Sequence, residues 1–188
     1  VSFPHFYECV FWGLIFGKNF ENMYIKLEIP MPSYLKKFLD VELGADYVVS
    51  RKDYIAKVLL ADIEGKQKKI SKPVKNVGEL YFSVRLSVDY IYRYQKATIG
   101  LQGVAEFVDY ADKLFKRNMC LFVDSRYSLK DEAGEKQVQK NLLSAEKAIK
   151  DFLGKYAVAE DDFKLESAIK YYRRYSKAQK ERHIKQAM

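Results

Sequence analysis

From Leu80 the chain alternates strictly. Leu80, Phe82, Val84, Leu86, Val88, Tyr90, Tyr92 and Tyr94 fall on one side, and Tyr81, Ser83, Arg85, Ser87, Asp89, Ile91, Arg93 and Gln95 on the other. Side chains along a β-strand point to opposite faces in turn, so a period of two commits this segment to a sheet with one apolar and one polar face. The run is far longer than an ordinary strand of about 5–6 residues. A strand is therefore expected over its first half. The tyrosine half reads as a continuation, a bulged extension or the start of a helix. Met23 to Ile29 repeats the alternation, with Ile25, Leu27 and Ile29 against Tyr24, Lys26 and Glu28, and Tyr47 to Val49 is a third, short candidate.

So small a sheet needs cover, and the remaining apolar patterns are helical. Ser33 is placed to cap a helix carrying Tyr34, Leu35, Phe38 and Leu39, with a stop at Gly44. Ser50 precedes Tyr54, Ile55, Val58, Leu59 and Ile63, a helix pattern ending at Gly65, for which a strand is the competing reading. After Gly103, the residues Val104, Phe107, Val108, Ala111, Leu114 and Phe115 mark an amphipathic helix. Arg117-Asn118 reads as a turn, Met119 to Val123 as a strand, and Ser128 to Glu135 as a polar hinge. Val138, Leu142, Ala145, Ile149 and Phe152 form one face of a helix stopped at Gly154, and a connection of three to six residues leads into a long terminal helix. The expected fold is α+β: a small mixed body of few strands and two to three helices over residues 23–127, then a C-terminal two-helix, helix-turn-helix-like unit over 128–188.

Residues 1–22 stand apart as an apolar N-terminal extension. Met23 is the first methionine and directly precedes a strand pattern, so the natural chain is expected to begin there; an apolar arm packed on the domain is the alternative. The apolar run from Cys9 to Gly17 is well short of the ~20 residues that span a bilayer, and no membrane partner is expected.

The charge is uneven. The chain carries a net +8, and from Lys164 onward eight Lys or Arg face only Glu166 and Glu181. In the terminal helix Leu165, Ala168, Ile169, Tyr172 and Tyr175 share one side, while Lys170, Arg173, Lys177 and Lys180 share another at the same three- and four-residue spacing. A concentrated basic stripe suits a polyanion. In a nucleic-acid reading these four residues meet phosphates and Arg174 reaches a base edge or a further phosphate. Lys66, Lys68, Lys69 and Lys72, with Lys75, form a lysine loop that could add a second phosphate contact. The competing reading of both segments is solvation, and of the helix also docking onto protein through its aliphatic and tyrosine side. The ladder Tyr90, Tyr92 and Tyr94 resembles a base-stacking sheet only in composition. Its register continues the apolar face, which favours burial over exposure.

Several chemistries lack their residues. The nine glycines are scattered singly, so no Gly-rich phosphate loop exists, and no serine sits in a nucleophile elbow. The only histidines, His5 and His183, lie near the termini, leaving no paired-His metal site. Asp124, Asp161 and Asp162 could approach a metal, but no further carboxylate stands at ligand spacing, and Asp161-Asp162 is better explained as negative charge at a helix start. A nucleophilic tyrosine would have no neighbour to activate it. Cys9 and Cys120 fit no redox or metal spacing, and Cys120, in an apolar run, reads as a reduced, buried thiol. No catalytic residue, cofactor or metal is expected. Lysine-rich α+β chains with a basic terminal helix have the general look of accessory proteins on mobile elements, without a motif to carry the likeness. The sequence thus points to a non-enzymatic, cytoplasmic nucleic-acid-binding or accessory protein, with DNA favoured over RNA and the body available for self-association. A protein–protein or structural module is the alternative.

Overall fold

A computed structural model describes residues 23–50, 52–63, 80–88, 90, 93, 99–127 and 138–187. The N-terminal extension, the lysine loop with Lys66, Lys68, Lys69 and Lys72, Tyr92 and Tyr94, and the hinge of residues 128–135 lie outside the described residues. The elements in order are β1 (Tyr24–Met31), α1 (Ser33–Leu43), β2 (Asp46–Val48), α2 (Tyr54–Ile63), β3 (Leu80–Ser87), α3 (Leu101–Tyr127), α4 (Val138–Lys155) and α5 (Leu165–Ala187). The architecture is α+β with a helical C-terminal unit.

The three strands form one sheet in the order β1-β3-β2. β1 runs antiparallel to β3 from Tyr24 opposite Ser87 to Met31 opposite Leu80, and β2 runs parallel to β3. The period of two does what it promised: Phe82, Val84 and Leu86 are buried with Ile29, Met31 and Tyr47, while Tyr24, Lys26, Glu28, Tyr81 and Arg85 face outward. The alternation outlasts the strand. Ser87 ends β3, and the described residues Val88, Tyr90 and Arg93 are helical, with Tyr90 half-buried against the core. Of the three readings of the tyrosine half, the start of a helix is the one observed at these positions.

Helices α1 and α3 pack on the sheet, and α2 and α4 pack on α3. Phe115 of α3 is the centre of the aromatic core. Its ring lies 5.2 Å from Tyr34, 5.4 Å from Phe38, 5.4 Å from Phe152 and 5.4 Å from Phe163, so the body and the C-terminal unit share buried surface.

Three local expectations are corrected. Arg117-Asn118 is not a turn and Met119 to Val123 is not a strand, because α3 continues through them to Tyr127. Val104, Phe107, Ala111, Phe115, Met119 and Val123 are all buried and follow one another at three- and four-residue intervals, so a single helical stripe runs through the segment. Ser33 is not a cap: α1 starts from Pro32, whose carbonyl accepts the Leu35 and Lys36 amides at 3.1 Å each, and the Ser33 hydroxyl donates instead to Asp162. Gly154 does not stop α4. The helix turns off at Ala157, whose φ of 51° is left-handed, while the Ala157 amide bonds the Gly154 carbonyl at 3.1 Å and the Val158 amide the Leu153 carbonyl at 3.0 Å. That is a Schellman closure, completed by burial of both Val158 and Leu153. Gly44, by contrast, ends α1 as expected, at a φ of 90°.

Candidate nucleic-acid interface

The candidate surface is built on α5, and the chain leading into it is anchored at several points. Asp162 accepts from the Ser33 hydroxyl, from the Lys37 ammonium at 2.5 Å and from the Ala159 amide at 2.9 Å. Hydrogen bonds from Lys37 and Ser33 hold its carboxyl down at about 2. Lys37 also donates to the Ala157 carbonyl at 3.0 Å, and Phe163 lays its ring 4.9 Å from Tyr34. Asp162 is therefore a clamp between the connection and α1 rather than the helix-start charge expected of it. The connection from Tyr156 to Lys164 is also longer than the three to six residues expected, and longer than the 3–4-residue turn of a DNA-reading helix-turn-helix. Glu160 supplies the start of α5, its carboxylate accepting the Leu165 amide at 3.0 Å, and the Lys164 carbonyl takes the Ser167 and Ala168 amides.

One face of α5 is inward. Ala168 is fully buried, and Leu165, Ile169, Tyr172 and Tyr175 are half-buried against the core. The Tyr172 hydroxyl donates to Asp124 of α3 at 2.8 Å. The aliphatic and tyrosine side is thus turned toward α3 and α4.

The opposite face is basic and open. Lys170, Arg173, Arg174, Lys177 and Lys180 are all exposed. At about 100° per residue they fall within an arc of roughly 120°, and they extend about 15 Å along the axis. Lys170 has Glu166 one turn away at 3.8 Å, a loose pair between highly exposed groups. Arg173, Arg174, Lys177 and Lys180 have no acidic partner among the described residues, and Glu166 and Glu181 are the acids sharing their side. Cations elsewhere are mostly matched: Lys36 with Asp40, Arg85 with Asp46, Lys113 with Asp109, Lys116 with Asp112, Arg126 with Asp151 and Lys150 with Glu146. Among the described residues, the positive charge of α5 is left uncompensated where that of the body is largely cancelled.

The structure brings Lys170, Arg173, Arg174, Lys177 and Lys180 together on one face; Lys66, Lys68, Lys69 and Lys72 lie outside the described residues. It adds a residue that the helix pattern does not contain. Lys116 of α3 places its ammonium 5.4 Å from the centre of the Tyr171 ring, so that ring has a cation on it already. Only tertiary packing brings α3 to Tyr171, and the sequence carries no signal for it.

Among the described residues, the buried phenols and the thiol shift away from the ionised form. Burial pushes the phenols of Tyr34, Tyr47, Tyr110 and Tyr156 upward, the direction opposite to that of an activated nucleophile, and burial likewise pushes the Cys120 thiol up to about 12. Among the described residues no group of His, Cys, Asp and Glu could hold a metal, and no helix is long and apolar enough to cross a membrane. Comparison with protein-family models, curated proteins and solved structures finds no match to this chain.

Proposed function

We propose that this protein binds nucleic acid, DNA in preference to RNA, by laying the outer face of α5 against phosphates. The observation that carries the reading is the set Arg173, Arg174, Lys177 and Lys180, exposed and without acidic partners among the described residues, on a helix whose other face is locked onto α3 and α4. An α-helix fits the major groove of B-DNA, about 12 Å wide, and guanidinium groups suit phosphate and guanine edges. With so long a connection before α5, recognition is by the helix face and is dominated by backbone charge. Affinity is expected to fall steeply with salt as condensed counterions are released. The protein acts in this reading as a cytoplasmic, non-enzymatic binding or accessory factor.

Fluorescence anisotropy with labelled duplex DNA and with a matched RNA duplex, each at low and moderate salt, tests this. The expected result is salt-sensitive binding, tighter to DNA. It should collapse when Arg173, Lys177 and Lys180 are changed to Glu, and persist when Lys36, Lys113 and Lys150 are changed in the same way. Negligible binding at low salt, or equal loss from both sets, overturns the proposal.

A further inference from the structure

Among the described residues the outer edge of the sheet at β1 is unpaired, and its chemistry is self-complementary. β1 lies at one side of the order β1-β3-β2, and among the described residues no strand pairs with its outer edge. Which backbone groups point outward follows from the ladder. The Val88 amide donates to the Met23 carbonyl at 2.9 Å, so Met23 and Val88 form a hydrogen-bonded pair. Bonded and non-bonded pairs alternate in an antiparallel ladder. The register from Tyr24 opposite Ser87 then makes Ile25, Leu27, Ile29 and Met31 the residues bonded to β3. Tyr24, Lys26, Glu28 and Pro30 turn their amides and carbonyls away from the sheet. Pro30 has no amide to offer, and it occupies an outward position, where a missing donor breaks no bond to β3.

A long edge strand with side chains only half covered is a surface that proteins ordinarily shorten, cover or block with charge. Here Ile25 and Leu27 are half-buried and Tyr24 is exposed. The charges on the strand do not block every neighbour. Lys26 and Glu28 share the open face 3.6 Å apart, each side chain 55% exposed. A second β1 can pair antiparallel with this edge only in registers that set outward residues opposite each other. Centring on Lys26 opposes two lysines, and centring on Glu28 opposes two glutamates. Centring on Leu27 sets Lys26 against Glu28 of the second copy and Glu28 against Lys26 of the second copy. It also stacks Ile25 on Ile29 of the second copy and Leu27 on its own counterpart.

We propose that β1 is a self-pairing edge at which two copies of this protein join by antiparallel strand addition about a two-fold axis at Leu27, merging two three-stranded sheets into one of six strands. Lys26 and Glu28 select both the partner and the register: the contact is isologous, so the Lys26–Glu28 pair occurs twice. This inference is independent of what α5 binds.

The test is sedimentation equilibrium of the whole protein across the micromolar range, with far-UV circular dichroism confirming that each variant folds. Wild type should be a concentration-dependent dimer. Lys26→Glu and Glu28→Lys each turn two attractive cross-strand contacts into two repulsive ones, so each alone should weaken dimerisation by about tenfold or more. The double variant Lys26→Glu/Glu28→Lys should regain it. So should an equimolar mixture of the two single variants, as a mixed dimer. A wild-type protein that stays monomeric into the high-micromolar range overturns the proposal, whatever else covers the edge. A dimer indifferent to both single variants overturns it as well, because the contact would then lie elsewhere.

Discussion

Substitutions at Gly154 and Ala157 separate two accounts of how α4 ends. If Gly154 were the left-handed residue closing the helix, alanine there would be strained and destabilising. In the structure Gly154 lies inside α4, and a Cβ built on it meets nothing within 4 Å. Alanine loses less backbone freedom than glycine in a helix, so Gly154→Ala is expected to stabilise by about 0.5–1 kcal/mol. For a chain of this size that is a rise in Tm of roughly 1–4 °C. Ala157 is the residue at positive φ, 51°, where a Cβ is disfavoured. Ala157→Gly relieves about 1 kcal/mol of that strain but returns about 0.4–1 kcal/mol of entropy to the unfolded chain, leaving a net change near zero. Ala157→Val, β-branched at the same φ, should cost about 1–2 kcal/mol. Urea titrations read all three as shifts in midpoint at constant slope. A lowered midpoint for Gly154→Ala, or an Ala157→Val variant as stable as wild type, would refute the placement of the closure at Ala157.

Other outcomes follow from the same contacts. Phe115→Ala, which empties the ring cluster joining the body to α4 and to the residues before α5, should cost about 3–5 kcal/mol by denaturant unfolding. Asp162 titrates in the folded protein at about 2, below its ordinary 3.8, so its contribution to stability is complete above pH 3.8 and is lost as pH falls through about 2. Asp162→Asn should therefore flatten that acid limb of stability against pH; an unchanged limb would show that the clamp to Lys37 and Ser33 does not form in solution. Cys120 should resist alkylation in the folded protein and label only on unfolding, as followed by peptide mapping, because its thiol is fully buried and its pKa is raised. Replacing Arg173 and Lys177 by Gln should reduce the slope of log affinity against log salt by roughly 2, near 0.9 per phosphate contact removed.

What repeats locally was legible in the chain. Alternation in Phe82 to Ser87 and Tyr24 to Ile29 specified which side chains face the core, while Leu80 at the strand's end stays exposed, and the three- and four-residue spacing of Leu165, Ala168, Ile169, Tyr172 and Tyr175 specified the inward face of α5. The basic face opposite was legible for the same reason, since a helix converts spacing into angle. Over too short a window the pattern misleads. Met119 to Val123 is apolar enough to suggest a strand, and only the longer stripe from Val104 shows that it belongs to α3. A glycine suggested the end of α4, yet the terminus is set by which amides can reach which carbonyls, and Ala157 takes the left-handed turn because burial of Val158 on Leu153 holds it there.

Contacts distant in sequence were settled only by folding. Asp162 and Ser33 are far apart along the chain, and nothing local reveals that they bond each other instead of capping their own helices. The same holds for Lys116 over Tyr171 and for Tyr172 on Asp124. Most consequential is the balance of charge. Composition shows that α5 is rich in Lys and Arg, but whether a cation is neutralised depends on which carboxylates folding places within a few ångströms of it. The fold matches Lys36, Lys113, Lys116, Arg126 and Lys150 with acids and, among the described residues, leaves Arg173, Arg174, Lys177 and Lys180 without them. Periodicity is a property of the chain; compensation of charge is a property of three-dimensional packing.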